Sequence, residues 1–422
     1  MVLNYLKQNS SRIIIVLLLL SYFIPNLESI DRIGNQWLYL SMINLIGTVI
    51  IYFKHDAHFK FIQLKKNYIL KWYFLFFITG IISLLSSSNL SESIITLNQY
   101  FNSLFALYLM VYFLNDISHP EKFIVRMLSF LFLAEIYFSF SPLINDISSG
   151  SLKFRSMSYS GLAANINITS FSLVFKIPIL LYLIISVKKL YQKFSLSFLL
   201  LISLYTIYIL GSRGALLGLL ISFGAYILYL MIYAKNLKDN LKSLYFVFTP
   251  VLISIIFNII SSSSENSTSV IDRASTISIS TNDGSVNQRL RYYKQGLDQF
   301  LESPFLGVGI GNWKLKSISY DKNDIYGYTV PYHAHNDFIQ ILVEQGILAF
   351  IFYAFVFISF IYIIYKEKLI LKNDLYIFIL ASFFVFFLDS NLNFPIARPI
   401  SQIQFIFMLA LVSINQKIEN EK

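Results

Sequence analysis

The chain has 422 residues, of which 56% are hydrophobic and 13% charged, with a mean hydropathy of +0.62. A water-soluble domain carries about 25% charged residues, so this chain cannot cover itself with a polar surface and most of its exterior must face lipid. The net charge of +10 would suggest nucleic acid in a soluble protein; in a membrane protein it reflects basic cytoplasmic loops, and no nucleic-acid partner is expected. With no cysteine in the chain, disulfides, thiolate nucleophiles and cysteine–metal sites are excluded.

The first segment, "MVLNYLKQNSSRIIIVLLLLSYFIPNLES", has a basic lead and an apolar stretch but no small-residue cleavage site. It reads as a retained helix rather than a removable signal. Apolar runs then follow, giving the set 13–30, 35–53, 69–87, 97–114, 123–140, 168–187, 196–210, 214–234, 244–260, 345–365, 375–391 and 398–415. A bilayer core takes about 20 apolar residues per helix. The expected fold is therefore all-α and polytopic, with about 12 transmembrane helices. The stretch 198–234 is long for one span, and "LGSRGA" supplies a break near Gly211.

Lysine and arginine are dense in alternate loops, for example Lys54, Lys60, Lys65, Lys66, Lys188, Lys189, Lys193, Lys235, Lys238 and Lys242. The other short loops hold only Arg32, Lys153, Arg155, Arg213 and Arg398. The positive-inside rule then places both termini in the cytoplasm and residues 261–334 outside. Three regions result: helices one to nine over 1–260, an outer loop over 261–344, and three C-terminal helices over 345–422.

The outer loop has two parts. "SSSSENSTSVIDRASTISISTNDGSVN" is rich in Ser, Thr and Asn and reads as a mobile stretch. In "QRLRYYKQGLDQFLESPFLGVGIGNW", Leu290, Tyr293, Leu297, Phe300 and Leu301 recur at helical spacing. That predicts an amphipathic helix along the outer face, closed by Pro304. "GVGIG" lacks the spacing and preceding strand of a dinucleotide fingerprint and reads as a tight turn.

Polar residues crowd one place, "PYHAHNDFIQILVEQG". Of five histidines, His55, His58 and His119 fall on the cytoplasmic side; His333 and His335 fall outside, beside Asn336, Asp337 and Glu344. A histidine at a helix entry is often a cap or a headgroup contact, but polar groups at membrane depth are costly unless used. A zinc set of His333, His335 and Asp337 has suitable ligand types but lacks a further outer histidine to complete it; no metal and no cofactor is expected. Arg213, Arg289, Arg291 and Arg155 face the same compartment. Each alone reads as a snorkelling interfacial residue; together they suit an anion, because guanidinium binds phosphate bidentately and stays charged. Lys176, inside the sixth apolar run, is either functional or paired with Glu135.

Three segments, "GSRGALL", "RLRYYKQGLDQFLESPFLGVGIGNW" and "HAHNDFIQILVEQGILAF", resemble in order the signature segments of the bacterial O-antigen ligase and polymerase family. The last carries the family's His-Asn, apolar and Glu-x-Gly pattern as His335, Asn336, Ile339, Glu344 and Gly346. "RSMSYSGLAANINIT" is similar to the family's earlier outer loop, with Gly161 and Asn167 at matching places. The resemblance implies transfer of a glycan from undecaprenyl diphosphate to an acceptor hydroxyl on the outer face of the inner membrane. It implies that Arg213 and Arg289 bind the diphosphate and that His335 is the essential histidine. His333, Asn336, Glu344, Arg155, Arg291 and Asn167 are then supporting residues. Arg291 departs from the family pattern, and Tyr293 stands where the family often has Trp. The implied partners are the lipid-linked donor, a saccharide acceptor (core-bearing lipid A for a ligase, a second lipid-linked repeat unit for a polymerase) and membrane lipids. A lipid-linked sugar flippase is the reading from another class, suited by the many spans and Lys176.

Overall fold

The structure, a computed structural model, describes residues 2–24, 32–53, 66–233, 237–262, 269–277, 284–321 and 331–417. It is helical throughout, with no strand among the described residues. The helices in chain order are α1 (Val2–Leu20), α2 (Arg32–Tyr52), α3 (Tyr68–Ile82), α4 (Leu90–Leu114), α5 (Pro120–Ser148), α6 (Ile166–Ser186), α7 (Leu190–Leu210) and α8 (Arg213–Tyr233). They continue with α9 (Leu237–Ser262), α10 (Val270–Ser275), α11 (Gly284–Glu302), α12 (Trp313–Asp321), α13 (Asp337–Lys366), α14 (Leu369–Lys372), α15 (Leu375–Leu392) and α16 (Pro399–Ser413).

Each of the twelve expected apolar runs falls on one of these helices, although the first runs on into residues outside the described set. Among the described residues, nine helices are long and apolar enough to cross a membrane, and the segments 9–23 and 399–413 are shorter apolar helices. The fold is that of an all-α polytopic membrane protein. His55 and His58 lie outside the described residues.

Two compact units share the chain. The first comprises 1–121, 280–368 and 390–422; the second comprises 122–279 and 369–389.

In the first unit α13 packs along α3, and α16 along α4. Trp72 stacks on Phe355 with ring centroids 4.6 Å apart, and Phe76 meets Tyr353 at 5.1 Å. Every residue of α16 is buried, as expected of a helix apolar on all sides. Asparagine starts several of these helices. Asn67, Asn89 and Asn336 accept from Leu70 N, Glu92 N and Ile339 N respectively. Such a cap satisfies an amide that the helix leaves open, at about 1 kcal/mol each.

In the second unit α9 packs on α7, and α6 on α7 and α8. Gly211 ends α7 in the left-handed region at φ +61°, and α8 begins at Arg213. The break expected at "LGSRGA" is this glycine turn. Lys176 donates to the Glu135 carboxylate at 2.7 Å and to the Ser172 carbonyl at 2.6 Å, with both ionic side chains buried. Between the two sequence readings of Lys176, the paired one holds. The stretch expected to be mobile contains α10, which opens on a capping box formed by Ser269 and Asp272. That reading is corrected for residues 269–277; residues 263–268 and 278–283 lie outside the described set.

Candidate active site

Helix α13 is interrupted at Gly346, whose backbone sits at φ +79° and ψ −175°. The loop after α11 enters at this break. Val308 N donates to Val343 O, Gly309 N to Glu344 O, and Ile347 N to Pro304 O, at 2.9 to 3.0 Å. A side chain on Gly346 would collide with the Phe305 carbonyl, which together with its positive φ makes glycine necessary there. The Glu344 carboxylate completes the junction. It accepts from Gly311 N at 2.9 Å, Trp313 N at 3.1 Å and Gln340 Nε2 at 3.3 Å. Glu344 and Gly346 therefore form a socket for the glycine-rich loop. The sequence placed Glu344 beside the histidines; the structure turns its carboxylate to backbone amides.

Asn312 holds the loop's far side. It is buried and donates to Ser93 Oγ at 2.7 Å while accepting from Asn89 N at 2.9 Å. The loop is thus fastened to the start of α4 as well as to α13.

With the loop fixed, α11 lies against the first turns of α13. Tyr292 and Trp313 form a small buried core with Val308, Ala334 and Val343. Gly296 lets α11 come close, since a side chain there would press on Ile339. This packing brings Tyr293 to the histidine motif. Its hydroxyl is 3.0 Å from the His335 carbonyl and 2.8 Å from the Asn391 carbonyl. His335 itself adopts φ +55°, a region that a non-glycine residue enters at a cost and that clusters at functional sites.

The two imidazoles sit among aromatic rings. Phe394 stacks on His333 at 4.2 Å and meets His335 edge-on at 5.1 Å. Tyr292 lies parallel to the His335 ring at 6.4 Å. Arginines lie over these rings: Arg398 over Phe394 at 4.9 Å and Arg291 over Tyr292 at 5.6 Å. Burial, helped by the Arg289 guanidinium, pushes the His335 pKa down to about 4. Burial, with Arg398 and His335 adding to it, pushes His333 down to about 3. Both imidazoles are therefore neutral at pH 7. The Nδ1 of each is buried without a hydrogen-bond partner among the described residues, which is uncommon for a buried polar atom.

Other expected residues lie elsewhere. Asn336 caps α13, and its side-chain nitrogen donates to Asn391 O at 3.3 Å. Asp337 accepts from Ile396 N at 3.2 Å. Among the described residues no three His, Cys, Asp or Glu side chains gather as a metal set. Arg213 belongs to the second unit, where its Nη1 donates to Thr276 O at 3.1 Å. Arg155, also there, is exposed, takes φ +57° and donates its backbone N to Ile209 O. Asn167 lies in the first turn of α6, which Asn165 rather than Asn167 caps.

Sequence reasoning missed three residues. Arg273 donates twice to the Gly211 carbonyl, at 3.0 and 3.2 Å, and so ties α10 to the turn before Arg213. Its signal was the capping box in an otherwise featureless Ser/Thr stretch. Phe394 and Arg398 come from "NLNFPIARP", where the break between two apolar runs was the only cue.

A neutral histidine ringed by aromatics and guanidinium groups, fixed on an all-α membrane scaffold, defines a site suited to moving a proton beside an anion. Residues 198–354 match the family described as O-antigen ligase. The chain's likeness to the O-antigen ligase and polymerase family is shown over that stretch, which takes in Arg213, α11, the glycine loop and the histidine motif. That match supports a membrane enzyme of the glycosyltransferase-like type. No curated protein matches the chain.

Proposed function

We propose that the protein is an O-antigen ligase-type glycosyltransferase of the bacterial inner membrane, working at the periplasmic face. It transfers a glycan from undecaprenyl diphosphate to core-bearing lipid A. The single observation that carries the reading is His335, held at φ +55° between Tyr292 and Phe394 and kept neutral by burial with Arg289 nearby.

The acceptor hydroxyl attacks the anomeric carbon and gives its proton to His335. The bond from that carbon to the diphosphate oxygen breaks, and the diphosphate leaves with the electron pair. A neutral imidazole suits the first task at pH 7. Fixed guanidinium groups suit the second, because they stabilise charge as it develops without reorganising. Arg289 has this role beside His335, and Arg213 is assigned it on the resemblance. Direct displacement inverts the anomeric centre. These residues supply both proton acceptance and charge stabilisation, so the reading calls for no metal.

The test is a reconstitution of purified protein with undecaprenyl-diphosphate glycan in the presence of a chelator. Core-bearing lipid A or a second lipid-linked repeat unit serves as acceptor. Inverted transfer to lipid A supports the proposal. A ladder of longer lipid-linked glycans would instead make the protein a polymerase with the same donor chemistry. A product that retains the donor's anomeric configuration would overturn direct displacement.

A further inference from the structure

Helix α11 is built inside out for a helix in water. Its buried face carries Tyr292, Gln295, Gly296 and Gln299. Leu290, Leu297 and Leu301 occupy the opposite side, with Lys294 among them, and all three leucines are exposed, Leu301 to 73%. The sequence had placed apolar residues on one face of this helix, and a face of that kind ordinarily turns to the core. Here it turns away. Phe305, just beyond the helix, is 72% exposed, and Leu306 is exposed beside it.

We propose that α11 lies in the membrane interface, with Leu290, Leu297, Leu301 and Phe305 in contact with lipid. The position of the following loop argues for lipid over a protein partner. Pro304 O accepts from Ile347 N at 2.9 Å, where the uninterrupted apolar run of α13 begins. The next residue, Leu348, is exposed. Leu306 O accepts from Ser86 Oγ at 3.3 Å, at the end of the span that contains α3. Exposed Ile81, Ile82 and Leu85 line that end. The stripe therefore continues the apolar exterior of two spans and does not stand apart as an island. Lys294 fits the same surface, since its stem can lie along apolar groups while the ammonium reaches lipid headgroups.

The opposite side of the helix faces the histidine motif through Tyr292 and Tyr293. On the proposed function, this geometry lets a lipid-anchored diphosphate reach His335 while its hydrocarbon tail stays in the bilayer. The lipid contact itself does not depend on that function.

Because the chain has no native cysteine, single labels can be placed cleanly. Leu297→Cys, Leu301→Cys and Phe305→Cys would each carry a nitroxide in the full-length protein in phospholipid vesicles. Asp298→Cys, exposed on the flank of α11, serves as the control. The expected result is that oxygen relaxes the first three labels more than a water-soluble nickel chelate does, with the order reversed at 298. Nickel access at 301 and 305 equal to that at 298 would overturn the proposal. So would exclusion of both reagents, which would mean that protein, such as a second copy, covers the stripe. Leu301→Trp, read by quenching from bromine-labelled acyl chains relative to the parent, provides a label-free measurement. Quenching beyond the parent's supports lipid contact, and none contradicts it.

Discussion

The Tyr293 hydroxyl lies 3.0 Å from the carbonyl of His335 and 2.8 Å from that of Asn391. One proton is thus shared between two backbone acceptors. One of those acceptors belongs to a residue held at φ +55°. The hydroxyl does not touch the imidazole; it fixes the backbone that aims it. Tyr293→Phe keeps the ring packing and removes the bond. A hydrogen bond of this kind contributes about 0.5–1.5 kcal/mol, so kcat should fall up to about tenfold with KM little changed. Steady-state transfer in vesicles measures this, and an unchanged kcat would remove Tyr293 from the positioning role.

The pH profile follows from the two histidines. Their ordinary pKa is about 6.5, and in the folded protein His335 sits at about 4 and His333 at about 3. Below pH 6.5 the unfolded chain takes up these protons before the folded one does, so stability rises with pH in this window. The contribution is fully present above about 6.5 and is lost as pH falls through 4 and 3. Transfer should stay level down to about pH 5, with its acid limb far below an ordinary histidine. Arg289→Gln removes part of the depression and should move the limb upward. A wild-type limb near 6.5 would contradict the lowered pKa of His335.

The loop socket can be broken at either end. Glu344→Ala leaves the amides of Gly311 and Trp313 buried without an acceptor, at a cost of about 1–3 kcal/mol each. Gly346→Ala combines a collision with a positive φ. Both variants should lower the melting temperature and expose 304–313 to protease. Glu344→Ala with the loop still resistant would show that the carboxylate does not hold it.

Lys176 and Glu135 form a buried pair, and removing one partner leaves an uncompensated charge costing about 3–5 kcal/mol. Lys176→Met and Glu135→Leu should each destabilise the purified protein, whereas the double variant recovers much of the loss. Transfer should survive in the double variant. Loss of lipid-linked sugar flipping with transfer intact would instead favour a transporter.

Arg213→Lys distinguishes a fork from a point charge. A guanidinium grips two phosphate oxygens at once, which an ammonium cannot do. Lysine should therefore impair donor use nearly as much as alanine. Full activity with lysine would reduce Arg213 to a simple positive charge.

How far the sequence reached depended on what each pattern encodes. Apolar runs locate helices because a helix in lipid must satisfy its own backbone, and Gly211 and Pro304 marked real ends. Periodicity in α11 showed which residues share a side. It could not say whether that side meets protein or lipid, and Leu301 faces outward. His333, His335 and Asn336 were legible as a polar cluster out of place. Their surroundings were not, because Phe394 and Arg398 arrive from some sixty residues further along and no local signal announces such a meeting. Glu344 was legible as one of the polar residues at the helix entry, but its burial was not, and its partners are mainly backbone amides, which every residue but proline carries and no sequence pattern marks.

The break at Gly346 also sets a height. At 1.5 Å per residue, the straight stretch from Ile347 to Lys366 rises about 30 Å, the thickness of a bilayer's hydrocarbon layer. The stretch from Asp337 to Gln345, on the other side of the break, is about 13 Å long. If the first stretch spans the oil, the second lies at the headgroup level beside α11 and carries His335 at its tip. One glycine thus divides a single helix into a length that can cross a bilayer and a shorter arm that carries the histidine motif.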